Sequence, residues 1–216
     1  MTAVQPLADG IGAIALSSTE RIRDAALKCF ATYGASATSL RTVAAAAGVS
    51  VGLVQHHFAT KAGLVKAVDD HAMAVVIAAV AGPIPEPPAD SLDEMGNRVT
   101  RMVSEHPDVV DYVGRALLDG SPLGMTIFDT LMDLGIARWK QRDERGETRP
   151  DVDLTWAAIN SLILALGTMI LRTHIERHLP GRLTAPEHLE RWQDSVNTTL
   201  REGLFRQTGN DGAVSS

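Results

Sequence analysis

The segment from Thr38 to Lys61, TSLRTVAAAAGVSVGLVQHHFATK, restricts the local geometry of this chain more than any other stretch. Ser39 is placed to cap a helix by accepting a hydrogen bond from a free N–H of its first turn. Val43, Ala44 and Ala47 then recur at three- and four-residue spacing, giving one narrow apolar face. Gly48 suits the residue after a helix end, where positive φ is cheap only without a Cβ. Ser50 caps a second helix that turns Leu53, Val54 and Phe58 inward and leaves Val51, Gly52, Gln55 and His56 outside. Two short helices joined by so tight a glycine turn form a helix-turn-helix, whose second helix fits the major groove of DNA. DNA binding is the function this segment implies.

The remaining sequence argues for an all-α fold. Alanine and leucine are abundant, aromatics make up only 4% of the 216 residues, and no stretch alternates with period two. The single cysteine, Cys29, lies on an apolar helical face, which excludes an internal disulfide framework and fits a reducing cytoplasm. A net charge of −6 looks wrong for a DNA binder until it is divided along the chain. Residues 1–66 carry Arg21, Arg23, Lys28, Arg41, Lys61 and Lys66 against Asp9, Glu20 and Asp24, a balance of +3, so the rest holds −9. That asymmetry implies a basic reading head on an acidic body.

Ser18 to Tyr33 is the first predicted helix, with Ile22, Ala25, Ala26, Cys29, Phe30 and Tyr33 on one face. After the two motif helices, a longer one is expected from Thr60 to about Ala81, striped by Leu64, Val65, Val68, Ala72 and Val75. The proline-rich run 82–90 cannot continue it and marks a seam. Further helices are expected near 91–106, 108–119, 122–144, 152–179 and 186–206. The domains read as a disordered tail 1–17, a helix-turn-helix domain 18–66, a helical effector-binding and dimerisation domain 67–206, and a frayed tail 207–216. Residues 1–16 lack the positive start of a targeting segment. The apolar run Leu154 to Leu171 reads as a buried or interface helix, with no membrane expected.

With the motif placed, the first 70 or so residues resemble the TetR family of bacterial transcriptional regulators. The likeness runs through Ile22, Ala25, Ala26, Phe30, Gly34, Thr38, Ser39, Val43, Ala44, Ala47, Gly48, Val49, Ser50, Gly52, His57, Phe58, Lys61 and Leu64. The resemblance implies a DNA-binding head on a variable helical body that dimerises and takes a small effector. It implies DNA contacts from Thr38, or Ser39 at the helix start, from Arg41, and from Ser50, Val51, Gly52, Gln55, His56, His57 and Lys61. Thr38 or Ser39 and Lys61 would hold phosphates. Gln55 stands where a phosphate-touching tyrosine is common, and its amide can instead read adenine. Val51 is apolar where many relatives are polar and could meet a thymine methyl. Gly63 occupies a position where relatives often have Glu.

Other chemistry is weakly represented. His56 and His57 point about 100° apart on a helix and cannot easily share an ion. His174 and His178 are four apart, the spacing of two zinc ligands on one helix face, but no third ligand and no adjacent glutamate accompany them. No phosphate-cradling glycine loop or nucleophile elbow appears, so neither enzyme activity, metal nor cofactor is expected. Met102, Met125, Phe128, Met132, Trp139, Trp156 and Met169 offer themselves as pocket lining, although core packing explains each as well. The expected protein is a homodimeric repressor of a palindromic or near-palindromic double-stranded DNA operator, released by a small molecule. Its dimer contacts are expected from 152–179 and 186–206. The rival reading is a helical ligand-binding or interaction module that has lost selective DNA binding.

Overall fold

Hydroxyl and carboxylate caps set most of the helix starts. In the computed structural model, which describes residues 17–83, 85 and 91–206, Ser17, Ser39, Ser50, Thr60, Ser121 and Asp153 each accept a hydrogen bond from a backbone N–H of the first turn. The helices are α1 (Ser18–Tyr33), α2 (Leu40–Ala47), α3 (Val51–Phe58), α4 (Lys61–Val80), α5 (Ser91–Glu105), α6 (Pro107–Leu118), α7 (Pro122–Glu144), α8 (Leu154–Ile170), α9 (Arg172–Ile175) and α10 (Pro186–Leu204). A 3-10 turn, Glu176–His178, follows α9. The fold is all-α, with an N-terminal helix-turn-helix; the extended pairing among the described residues is one isolated bridge between Thr148 and Phe205. The expected tails, apart from Ser17, and most of the proline seam lie outside the described residues.

One continuous core runs from α1 through α4 to α6 and α7. Its spine is the row Leu64, Val68, Ala72, Val76 and Val80, buried every fourth residue along α4. α1 contributes Ile22, Ala26, Leu27, Cys29 and Phe30. Tyr33, expected on that face, is instead 61% exposed. α1 is covered by both α2 and α6, which draws Leu27 inward, and it ends at Gly34 before any neighbour covers the tyrosine.

The predicted single helix 152–179 is divided at Leu171, and its two parts meet at 67°. The Ser161 and Thr168 hydroxyls donate back to the Ala157 and Leu164 carbonyls, a pattern that bends helices. Beside the break, Thr168 also accepts from the Trp192 indole of α10 at 3.1 Å, and Arg172 pairs with Asp111 of α6 at 2.8 Å. His174 and His178 consequently fall on different elements and share no helical face. Among the described residues no group of three or more His, Cys, Asp or Glu could hold a metal ion. No single described helix is long and apolar enough to cross a membrane; α8 with 172–178 reaches that test only as the bent pair.

The joint between α3 and α4 is unusually tight. Ala59 has φ 57° and ψ −57°, and Thr60 N–H donates to the Phe58 carbonyl at 2.6 Å. This is a γ-turn of the rarer, strained hand. The Phe58 carbonyl oxygen points at Gly63, so closely that a Cβ there would run into it. The glycine that departs from the family pattern is thus the residue that makes room for the turn. Gly63→Ala should lower stability by about 1–3 kcal/mol through this clash, although alanine in a helix is otherwise worth about 1 kcal/mol over glycine. Urea denaturation decides by sign: a stabilised variant would refute the close approach.

A buried polar contact ties α6 to α4. The Tyr112 hydroxyl donates to Asp69 Oδ1 at 2.6 Å, and its ring lies 6.3 Å from that of Phe30 in α1. Burial pushes the Asp69 carboxyl up from its ordinary range, more than the Tyr112 hydrogen bond lowers it. Burial and the neighbouring carboxylate likewise push the Tyr112 phenol up. Tyr112→Phe should cost about 1–2 kcal/mol at neutral pH, because it leaves a half-buried carboxylate without its donor. For Asp69 the sign follows from a folded-state pKa above the unfolded one. Its ionisation costs stability as pH rises through and above the ordinary carboxylate range. Denaturation of Asp69→Asn, which keeps the acceptor oxygen, should therefore show the variant gaining on the wild type between acid and neutral pH.

Candidate DNA-reading surface

The surface is assembled on α1. Gly48, at φ 66° and ψ 38°, ends α2 with its N–H turned back to the Ala44 and Ala45 carbonyls. Arg21 of α1 donates from Nη2 to the Ala47 carbonyl at 3.0 Å and so fixes the end of α2. Val54 is fully buried and anchors α3, while Thr19 Oγ1 lies 3.1 Å from His57 Nδ1 and fixes its outer end. Lys61, at the first position of α4, donates to the Ser36 carbonyl at 2.9 Å and holds the loop before α2. Four elements are thereby locked into one unit by side-chain hydrogen bonds and packing rather than by ion pairs.

The outer face carries much of the expected set. Ser39 and Arg41 on α2, and Ser50, Gly52, Gln55, His56 and His57 around α3, are all exposed. The His56 and His57 rings meet edge-on at 5.3 Å, and His57 also faces Phe58 at 6.3 Å. Two expectations need correction. Thr38 is only 2% exposed and its hydroxyl donates to the Gly34 carbonyl at 2.8 Å, so it builds the turn after α1 and is shut away from a phosphate. Ser39 takes the exposed place, with its Oγ 2.8 Å from the Thr42 hydroxyl. Val51 is half-buried and packs against the core, because the first turn of α3 leans on the helices beneath it. Thr42, passed over in the sequence, adds a second exposed hydroxyl beside Arg41. Its position one residue further round α2 from Arg41 was the available signal.

The charges sort themselves by partner. Arg23 pairs with Asp24 at 2.8 Å, Lys28 with Asp108 at 3.5 Å, and Lys66 with Asp70 at 2.6 Å. Among the described residues Arg21, Arg41 and Lys61 face no carboxylate; Arg21 and Lys61 hold carbonyl oxygens, and Arg41 makes no hydrogen bond or ion pair. Within residues 17–66, the cations without a carboxylate partner are thus Arg21, Arg41 and Lys61, all in or beside the helix-turn-helix. Such a surface can take phosphate oxygens on Arg41, Lys61 and the Ser39 and Thr42 hydroxyls, and base edges on Gln55 and His56.

Residues 22–68 match the family described as "Bacterial regulatory proteins, tetR family". The chain is 29% identical over 139 residues to the HTH-type transcriptional regulatory protein RaaS of Mycobacterium tuberculosis, covering 64% of this chain and 63% of that one. It is 39% identical over 103 residues to the HTH-type transcriptional repressor Rv3405c of the same organism, covering 48% of each. The alignments thus span between about half and somewhat under two thirds of these relatives. In fold, the chain is similar to the ketosteroid transcriptional regulator KstR2 of Mycobacterium tuberculosis, with a TM-score of 0.67 at 20% identity over 88% of this chain and 96% of that one. SmeT, the repressor of a Stenotrophomonas maltophilia multidrug efflux pump, superposes with a TM-score of 0.66 at 18% identity, covering 93% and 96%. Residues 22–68 thus carry a helix-turn-helix domain of the tetR type, and the whole chain shares the all-helical fold of these regulators.

Proposed function

We propose that the protein is a sequence-specific transcriptional regulator of double-stranded DNA, a homodimeric repressor released from its operator by a small molecule. The observation that carries this reading is the exposed face of α3, with Gly52, Gln55 and His56, set beside the carboxylate-free Arg41 and Lys61. Gln55 and His56 read base edges in the major groove. Ser39, Thr42, Arg41 and Lys61 position the helix on phosphates, and His57 is held against α1 to steady it. In a twofold dimer the two recognition helices would address half-sites about 34–36 Å apart, which makes the operator palindromic or nearly so.

The dimer contact is assigned to α8 together with the start of α7. Trp156 and Ile163 on α8 are 58% and 56% exposed, and Met125 and Phe128 on α7 join Ile163 around one apolar surface. α10, expected to share this role, turns mainly Glu187, Glu190, Arg191, Asp194 and Glu202 outward. A patch of exposed tryptophan and isoleucine is the surface that association would cover. Light scattering should find a dimer in the wild type and a monomer in Ile163→Arg, with helical content unchanged.

The DNA reading is tested by gel-shift on the sequence upstream of the protein's own coding region. Arg41→Ala should leave thermal stability intact, weaken binding across sequences and reduce the salt slope by about one unit per removed phosphate contact, hence about two in a dimer. Gln55→Ala should cost about 1–3 kcal/mol and relax preference at one base position. An unchanged salt slope in Arg41→Ala, or a folded protein that retains no selective DNA binding, would favour the rival ligand-binding module.

A further inference from the structure

A cavity of about 160 Å³ lies between α5, α7, α8 and α10, with Val80 of α4 at its edge. Of the residues first considered as lining, Trp139 alone faces it; Met125 and Phe128 sit on the outer stripe of α7, and Trp156 on the outside of α8. The walls are aliphatic and indole, from residues such as Leu131, Leu162, Trp139 and Trp192, and include no Asp or Glu. A cationic ligand therefore has no carboxylate to meet there. Ser161, Gln193 and Asn197, also on the wall, are engaged elsewhere: Ser161 with the Ala157 carbonyl, Gln193 with Asn97 and Asn197 with Asp93.

The wall carries two arginines of α7. Arg142 donates to Ser91 Oγ at 3.1 Å and lies 4.9 Å from the Trp139 ring centre. Arg138 is different. Its guanidinium reaches the Gly82 carbonyl at 3.3 Å and Met95 Sδ at 4.0 Å, and no carboxylate lies within ion-pair distance among the described residues. Its charged neighbour, Arg98, is already paired with Glu94 at 2.7 Å. Burial, with a further contribution from Arg98, lowers the Arg138 pKa from its ordinary value. A half-buried guanidinium without an anion is costly, and its planar fork matches a carboxylate in two parallel hydrogen bonds. An engineered apolar cavity of about 150 Å³ holds benzene, so the space here suits an aryl ring or a short alkyl chain.

We propose that this cavity binds an apolar organic anion, an aryl or medium-chain carboxylate, whose carboxylate is received by Arg138. The site stands on its own geometry; its consequence rests on the regulator reading above. Gly82 lies two residues beyond the end of α4, and α4 begins three residues after the end of α3. A carboxylate that takes the Arg138 fork withdraws Nη2 from the Gly82 carbonyl and frees the far end of the helix that carries the recognition unit.

The test uses the full chain and four probes: octanoate, 4-phenylbutanoate, octanamide and octylamine, by titration calorimetry at neutral pH. At least one of the two acids should bind at least tenfold tighter than octanamide, and octylamine weakest. Arg138→Met should erase the preference for acid over amide, and Arg138→Lys should keep part of it. The preferred acid should weaken binding to the upstream DNA at least tenfold in the wild type and leave Arg138→Met on its DNA. Amide binding as tight as both acids, no binding of either acid by folded protein at millimolar concentration, or an acid preference that survives in Arg138→Met would overturn the site. Should Arg138→Met fail to fold by circular dichroism, the wild-type comparison of acid with amide and the Arg138→Lys result decide. An Arg138-dependent acid preference in a protein that binds no DNA would fell the regulator reading and leave the site standing. DNA binding without any acid preference would do the reverse.

Discussion

Burial of one side of α4 is the constraint on which the rest of this structure depends. Leu64, Val68, Ala72, Val76 and Val80 lie in a single row, and the helices before and after α4 pack on it from both ends. The row repeats every four residues from Leu64 to Val80, so it spans about 24 Å of the helix. The helix-turn-helix therefore has no separate core. Its Ile22, Phe30 and Val43 belong to the same cluster as Val109, Val113 and Ile127 of α6 and α7. A boundary drawn at residue 66 divides the sequence by charge but runs through the middle of a packed helix. Any displacement of α4 is shared with the recognition unit, since closely packed interiors transmit shifts rather than absorb them.

Electrostatics follows the same division in finer detail. The first 66 residues have a modest positive balance, yet balance is a poor guide to what is available for a polyanion. Arg23, Lys28 and Lys66 are neutralised by Asp24, Asp108 and Asp70, all away from the motif. Arg21 and Lys61 instead grip backbone carbonyls, which orders them without cancelling their charge. A lysine so held loses little further side-chain freedom when a phosphate arrives. The carboxylates on neighbouring surfaces thus concentrate the field of the N-terminal region on its reading face.

Local rules in the sequence were enough for the helices and the motif, because these rest on caps and turns. Ser39, Gly48, Ser50, Thr60 and the Gly120-Ser121-Pro122 break act within a few residues, and each works as its chemistry requires. Features decided by distant neighbours were not legible. Thr38 looked like an exposed hydroxyl, but α1 ends so that the Gly34 carbonyl meets it. Tyr33 and Leu27 exchanged places because α6, 80 residues on, covers one side of α1 and not the other. The break at Leu171 depends on partners in α6 and α10 that no window around residue 171 contains. Which residues face the cavity depends on helical phase in a related way. The helical period of α7 sends Met125 and Phe128 outward and Leu131, Arg138 and Trp139 toward the cavity.

The two ends of α4 are built differently, and the contrast bears on how a signal would cross the molecule. At the start, the γ-turn at Ala59 and the Phe58 carbonyl seated over Gly63 leave almost no play between α3 and α4. Lys61 adds a tether to the loop before α2. At the other end the helix runs out at Ala81 into a glycine whose carbonyl is held by a long hydrogen bond from Arg138 at 3.3 Å. Between them, the Tyr112–Asp69 contact clamps α4 to α6 near its middle. A rod closely joined to α3, tied to α6 along its length and met beyond its end by long hydrogen bonds would, in the proposed regulator, turn as a lever about that tie. In the proposed regulator, free energy supplied there by a ligand that prefers one orientation would reach α3 as rotation of a whole unit. A close joint at the α3 end and longer hydrogen bonds at the cavity end are the arrangement the proposed regulator would need.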